Sequence, residues 1–145
     1  MGHIDPKYTT SVTATGGREG QAVSDDGVLN LQLRRPKLNG KSEGTNPEQL
    51  FAAAWAGCFQ SALIGAARET GDDVSDSLVT VEVSQGPDSD GGYGLAARIA
   101  VEIPGVDSER ARQLADSAHQ GCPYSRATRG NIEVEVRVVS PSMAG

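Results

Sequence analysis

The residues of this chain best suited to chemistry are its two cysteines. Cys58 stands in the most apolar stretch, Leu50-Phe51-Ala52-Ala53-Ala54-Trp55-Ala56-Gly57-Cys58-Phe59. Cys122 stands in Gly121-Cys122-Pro123-Tyr124-Ser125, which reads as a turn. The first setting predicts a buried helix and the second a hinge. A thiolate can attack a peroxide O–O bond and become a sulfenic acid, which a second thiol condenses into a disulfide. Two cysteines in unlike settings suit that division of labour. Plainer readings stay open beside it. Cys58 can be a small core residue, and Cys122 a loop thiol of no consequence. The pair can also be a structural bridge, worth about 4 kcal/mol in the chain-entropy model.

Peroxide chemistry demands a thiolate. A free cysteine has a pKa of about 8.5, and burial among Phe51, Trp55 and Phe59 would raise it. A reactive Cys58 therefore needs a cation. Lowering its pKa by about three units takes roughly 4 kcal/mol of preferential thiolate stabilisation, within reach of a close arginine. Arg18 is the candidate, because Gly16-Gly17-Arg18-Glu19-Gly20 is a turn able to aim a side chain inward. A buried arginine needs a carboxylate in turn, and Glu48 in the first turn of the apolar helix is the candidate. The bland readings are a solvated turn arginine and a carboxylate favoured by the helix dipole. Glu48 and Cys58 would lie about 15 Å apart along one helix. At least one member of a Cys58, Arg18 and Glu48 constellation is therefore expected from a second chain.

The elements that must position these residues are marked by punctuation. Tyr8–Thr15 and Val28–Leu33 read as strands, with a returning strand beginning at Gln21. Asn46 is a good N-cap, Pro47 suits the first helical position, Gln49 sits where a capping-box partner would, and Gly71 is a natural stop. The long helix Pro47–Thr70 is apolar nearly all round, as a buried central helix is. Small residues stripe it: Ala53, Gly57, Ser61 and Gly65 on one line, Ala54, Cys58, Ala62 and Ala66 on the next. Leu78–Ser84 and Leu95–Ile103 read as strands. A second helix opens at Asp107 and ends at Gly121, and Ile132 to Val138 alternates as a half-buried strand. The order predicts one α+β domain over residues 1–145 with mostly antiparallel pairing and a flexible segment at 1–7.

Composition narrows the function. A net charge of −6 points away from a general nucleic-acid surface. Arg34-Arg35-Pro36-Lys37 reads as a solvated basic loop. Met1-Gly2-His3-Ile4-Asp5-Pro6 lacks the pattern of a signal peptide, so the expected compartment is a reducing cytoplasm. Gln49–Ala67 carries no charged residue and is long enough to cross a membrane. Its glycines, alanines and Gln60 favour a core helix, so no membrane association is expected. His3, His119 and two distant cysteines make no zinc pattern, and no phosphate-binding or nucleophile-elbow motif is present.

Thr45-Asn46-Pro47-Glu48-Gln49-Leu50-Phe51-Ala52-Ala53, followed by Cys58-Phe59, resembles the central helix of OsmC/Ohr proteins. Gly16-Gly17-Arg18-Glu19-Gly20 resembles that family's arginine turn. Cys122-Pro123-Tyr124-Ser125 through Ala127-Thr128-Arg129-Gly130-Asn131-Ile132 resembles the C-terminal motif of its organic hydroperoxide resistance branch. The three cover the chain from about Tyr8 to Val139 in the family's order. The resemblance implies an OsmC-like fold, with antiparallel sheets around a long buried central helix, in an intertwined homodimer. It implies a thiol peroxidase acting on organic hydroperoxides, with no bound cofactor and a lipoyl dithiol, carried on a lipoylated protein partner, as external reductant. Carried over by motif, Cys58 would be peroxidatic, Cys122 resolving, and Arg18 and Glu48 the activating pair. Phe51, Trp55, Phe59 and Tyr124 would line the substrate pocket, with Trp55 and Gly57 as variations able to reshape it. Two rivals stand beside this reading. One is a redox-switched binding protein without turnover; the other is a hotdog-like metabolic enzyme whose apolar helix only packs on a sheet.

Overall fold

The computed structural model describes residues 2–140, which fall into two compact units divided after Leu50. In the first, β1 (Val12–Thr15), β2 (Gln21–Ser24) and β3 (Asn30–Gln32) make an antiparallel sheet in chain order. Val12 faces Ser24 and Ala22 faces Leu31 across the two ladders. Residues 2–11 are exposed and irregular. The predicted strand Tyr8–Thr15 is thus only its C-terminal half. The predicted strand Val28–Leu33 shortens to three residues, because the Asp25-Asp26-Gly27 turn holds Val28 by its backbone N–H on Asp26 Oδ1 (3.0 Å). Beyond β3, Leu33 makes a parallel bridge to Thr45 and is buried.

The long helix α1 (Pro47–Thr70) has the predicted bounds. Asn46 Oδ1 accepts from the Gln49 backbone N–H (2.9 Å), which is the N-cap bond. The Gln49 side chain does not complete a capping box; its Oε1 accepts from the Thr45 hydroxyl (2.8 Å). Gly71 has φ 77°, the left-handed conformation that ends the helix.

In the second unit, β4 (Leu78–Pro87) and β5 (Tyr93–Glu102) form an antiparallel hairpin. α2 (Ser108–Gly121) and α3 (Pro123–Thr128) then lead to β6 (Glu133–Val138). β6 pairs parallel to β5, with Ala96 opposite Glu133 and Val101 opposite Val138. The other three ladders among the described residues are antiparallel, so the expected mostly antiparallel pairing holds with this one exception. A helical crossover returns the chain to the end of the sheet where β5 began, so the pairing must be parallel. α3 was not legible in the sequence: six residues are too few to show a helical period.

Period-two alternation puts Ala97, Ile99 and Val101 of β5 in the core, with Arg98 outward against Glu135 (Nε–Oε2 3.7 Å). α2 contributes Ala111, Leu114, Ala115 and Ala118, and α1 contributes Trp55, Phe59, Leu63 and Ala67. These α1 residues recur every four positions, a single face. Ala53, Ala54, Gly57, Ser61, Ile64 and Gly65 are exposed, so within one chain α1 is buried on one side rather than all round. By length and composition alone α1 could cross a membrane.

Candidate active site

The first unit builds an ion pair. Gly16 (φ 75°) and Gly17 (φ 56°) hold left-handed backbone that other residues rarely adopt. Gly20 closes the turn so tightly that a Cβ there would stand 1.6 Å from the Thr15 carbonyl oxygen. Residues Gly17–Glu19 form one turn of 3-10 helix between β1 and β2, with Arg18 at its centre. Arg18 Nη1 donates to Glu48 Oε1 (2.8 Å) and Oε2 (3.1 Å). Glu48 lies in the first turn of α1, where the helix dipole favours a carboxylate. Their side chains keep 36% and 22% of their exposure, so the pair adds little to stability, about 0–1 kcal/mol. Its value is direction: the guanidinium is held at a fixed place.

The second unit builds a thiol pair. Cys58 and Cys122 are both free thiols, and Cys122 is close enough to affect the ionisation of Cys58. Burial raises the Cys58 pKa most. The hydrogen bond with Cys122 and that residue's charge raise it further, while the Tyr124 backbone N–H lowers it. Within its own unit, then, Cys58 is held as a thiol.

The exposures reverse the expected contrast: Cys58 is half-buried, and Cys122 is wholly buried. Nor is Cys122 a hinge. It is the shared cap of α2 and α3, with φ −70° and ψ 121°. Its N–H donates to the Ala118 carbonyl (2.8 Å), and its carbonyl accepts from the Arg126 N–H (3.0 Å). Pro123 forces the break, because it cannot donate back into α2 yet suits the first position of α3.

A second buried contact joins α1 to α3. Trp55 Nε1 donates to Ser125 Oγ (3.1 Å), with both side chains fully buried. Trp55 lies one helical turn before Cys58, and Ser125 one turn after Cys122. Sequence reasoning missed Ser125. The available signal was the chain's single tryptophan in an apolar segment, whose N–H needs a partner when buried.

Of the four predicted pocket residues, Trp55 and Phe59 have no accessible surface in the chain and belong to the core. Phe51 is half-buried and tilts against Trp55, with ring centroids 5.7 Å apart. Tyr124 is exposed. Arg18 and Glu48 are brought together, and so are Cys58 and Cys122.

The fold and these two pairs define a thiol-bearing α+β protein of the OsmC type. The family model for OsmC-like protein matches residues 40–137. The organic hydroperoxide resistance protein OhrB of Bacillus subtilis is 45% identical over 135 residues, covering 90% of this chain and 97% of that one. Its crystal structure superposes with a TM-score of 0.84 at 43% identity, over 91% of this chain and 98% of that chain. An organic hydroperoxide resistance protein from Elizabethkingia anophelis has a TM-score of 0.87 at 43% identity, over 95% and 100%. The chain belongs to the OsmC/Ohr family, on its organic hydroperoxide resistance branch.

Proposed function

We propose that the protein is a cysteine-based peroxidase that reduces organic hydroperoxides to alcohols. The observation that carries this reading is the approach of two free thiols, one half-buried and one locked beside it. Relatives named for organic hydroperoxide resistance supply the substrate class. The Cys58 thiolate attacks the distal peroxide oxygen; the O–O bond breaks, and the alkoxide leaves and takes a proton. The Cys58 sulfenic acid then condenses with the Cys122 thiol, releasing water and forming a disulfide. An external dithiol, a lipoyl group on a partner protein in this reading, reduces the disulfide and becomes a disulfide itself.

The Cys58 pKa is raised inside its own unit, so the thiolate needs a cation. We assign that role to Arg18, held by Glu48, from the second protomer of a homodimer. The rise along α1 separates Glu48 from Cys58 by about 15 Å, which disfavours supply from the same helix. The exposed small-residue face of α1 suits the approach of a second backbone. Glu48 engages Nη1, and the Nε and Nη2 donors are those this reading gives to thiolate and alkoxide. Phe51 and Tyr124 are the proposed contacts for the organic part of the substrate, with Trp55 and Phe59 packed behind them.

Intact-mass analysis after one equivalent of cumene hydroperoxide tests the reading. Wild type should lose two hydrogens as a Cys58–Cys122 disulfide, and Cys122→Ser should gain one oxygen at Cys58. Turnover with a dithiol separates an enzyme from a redox-switched binding protein. Disulfide formation without turnover would favour the latter. Oxidation at Cys122 in Cys58→Ser would reverse the roles.

A further inference from the structure

The basic run Arg34-Arg35-Pro36-Lys37 is not a uniformly solvated loop. Arg34 is half-buried, and its Nη1 donates to three converging backbone carbonyls: Glu19 (3.0 Å), Gly20 (3.0 Å) and Leu33 (2.6 Å). Nη2 donates to Gln32 Oε1 (3.1 Å). Glu19 and Gly20 are the two residues that follow Arg18. The Arg34 backbone N–H donates to the Thr45 carbonyl (2.8 Å), immediately before the Asn46 cap of the helix that carries Glu48. One residue thus ties the Arg18 turn to the segment that presents Glu48.

Two further observations make this a built arrangement. Gly44 leaves room for the Arg34 stem; a Cβ on it would stand 2.9 Å from Arg34 Cγ and 2.7 Å from the Gln32 carbonyl oxygen. The neighbouring Arg35 holds the Glu19 side chain, with its N–H on Oε1 (3.3 Å) and its Nε at 3.4 Å. The turn's own bonds are long by comparison: Glu19 N–H to Gly16 O at 3.2 Å and Gly20 N–H to Gly17 O at 3.3 Å. Bonds from a charged donor are roughly twice as strong as neutral ones. The turn is therefore held more from outside than by itself.

We propose that Arg34 is a positioning residue for Arg18: its guanidinium clamps the carbonyls that follow Arg18 and so fixes the direction in which the glycine turn presents that side chain to Glu48. The catalytic part of this inference rests on the peroxidase reading above, in which Arg18 is the thiolate's cation. Lysine is a poor substitute, because an ammonium cannot hold a planar fork on the carbonyls and Gln32 together.

The test uses Arg34→Gln, Arg34→Lys, Arg18→Gln and the Arg34→Gln/Arg18→Gln double variant. The first readout is tryptic cleavage of the native protein at the Arg18–Glu19 bond, followed by mass spectrometry and independent of activity. Cleavage should quicken about tenfold in Arg34→Gln and less in Arg34→Lys; unchanged cleavage in both overturns the clamp. Should Arg34→Gln not fold, Arg34→Lys carries both readouts. The second readout is kcat/KM for cumene hydroperoxide with a dithiol. It should fall about tenfold in Arg34→Gln and show no further fall when Arg34→Gln is added to Arg18→Gln. An equal loss in both backgrounds overturns the positioning role. Full turnover in Arg18→Gln overturns Arg18 as the thiolate's cation, whereas no turnover in wild type overturns the peroxidase reading; in either case the cleavage rates decide the clamp alone.

Discussion

In the proposed reaction Cys58 needs a cation that its own unit does not give. Burial and Cys122 both raise its pKa, against only the Tyr124 N–H. The rate of Cys58 alkylation by iodoacetamide, followed against pH in Cys122→Ser, therefore reports the missing cation. In the proposed homodimer Arg18→Gln should move the midpoint to higher pH and slow the reaction at neutral pH by about tenfold or more. Identical profiles with and without Arg18 would remove it from the site. His119 supplies a second titration. Its Nδ1 is buried without a hydrogen-bond partner among the described residues, and its ring stands 6.5 Å from that of Phe59. Burial lowers its pKa first, then the Arg129 charge, with Asp116 opposing. A histidine harder to protonate folded than unfolded means that the unfolded chain binds more protons as pH falls below 6.5. That contribution is fully present above 6.5 and is lost as pH falls toward the folded pKa. Urea unfolding between about pH 5 and pH 8 should show a shallower loss on acidification in His119→Gln than in wild type.

At the scale of elements, the turn before β2 carries the ion pair and the α1–α3 bond accompanies the thiol pair. Gly20→Ala drives a Cβ into the Thr15 carbonyl, so the turn must open and the Arg18–Glu48 pair must separate. It should reproduce the activity loss of Arg18→Gln, measured as kcat/KM, with the second unit's near-ultraviolet signal from Trp55 preserved. Trp55→Phe leaves the fully buried Ser125 hydroxyl without its donor, at a cost of about 1–3 kcal/mol in stability by denaturant unfolding. It should also slow the closing of the Cys58–Cys122 disulfide, because the bond one helical turn away no longer fixes the approach of α3. Disulfide formation at the wild-type rate would show that the core alone positions the thiols. The long helix was legible because Asn46, Pro47 and Gly71 act locally. α3 was not, because a six-residue helix beginning at a proline leaves no periodic trace.

For the molecule as a whole, the exposed face of α1 is the surface that the proposed homodimer would cover. In a single chain Gly65 is exposed and a Cβ on it would meet nothing within 4 Å, so the protomer leaves open space where a longer side chain would start. Replacing a mid-helix glycine should even stabilise α1 by about 0.5–1 kcal/mol. In the proposed homodimer the same arginine would stand between two close backbones. Gly65→Arg should therefore run as a monomer in sedimentation and lose peroxidase turnover while keeping its far-ultraviolet spectrum. A dimeric, active Gly65→Arg would exclude that stretch of the face from the interface.

Chemistry and punctuation were written in local sequence. The thiols, the glycine turn that carries Arg18, the Asn46 cap and the strand alternation follow from residue types acting on their near neighbours. Their order along the chain was enough for the family. What the sequence misjudged was burial. Cys122 read as a hinge because Gly121 and Pro123 flank it, yet long-range packing of α2 and α3 seals it in the core. Arg34 read as solvated because nothing local marks the three carbonyls that converge on it. Trp55 and Ser125 meet across most of the second unit, and the parallel β5–β6 ladder depends on where the crossover returns. Such pairings are set by the path of the chain through space, which no window of sequence contains.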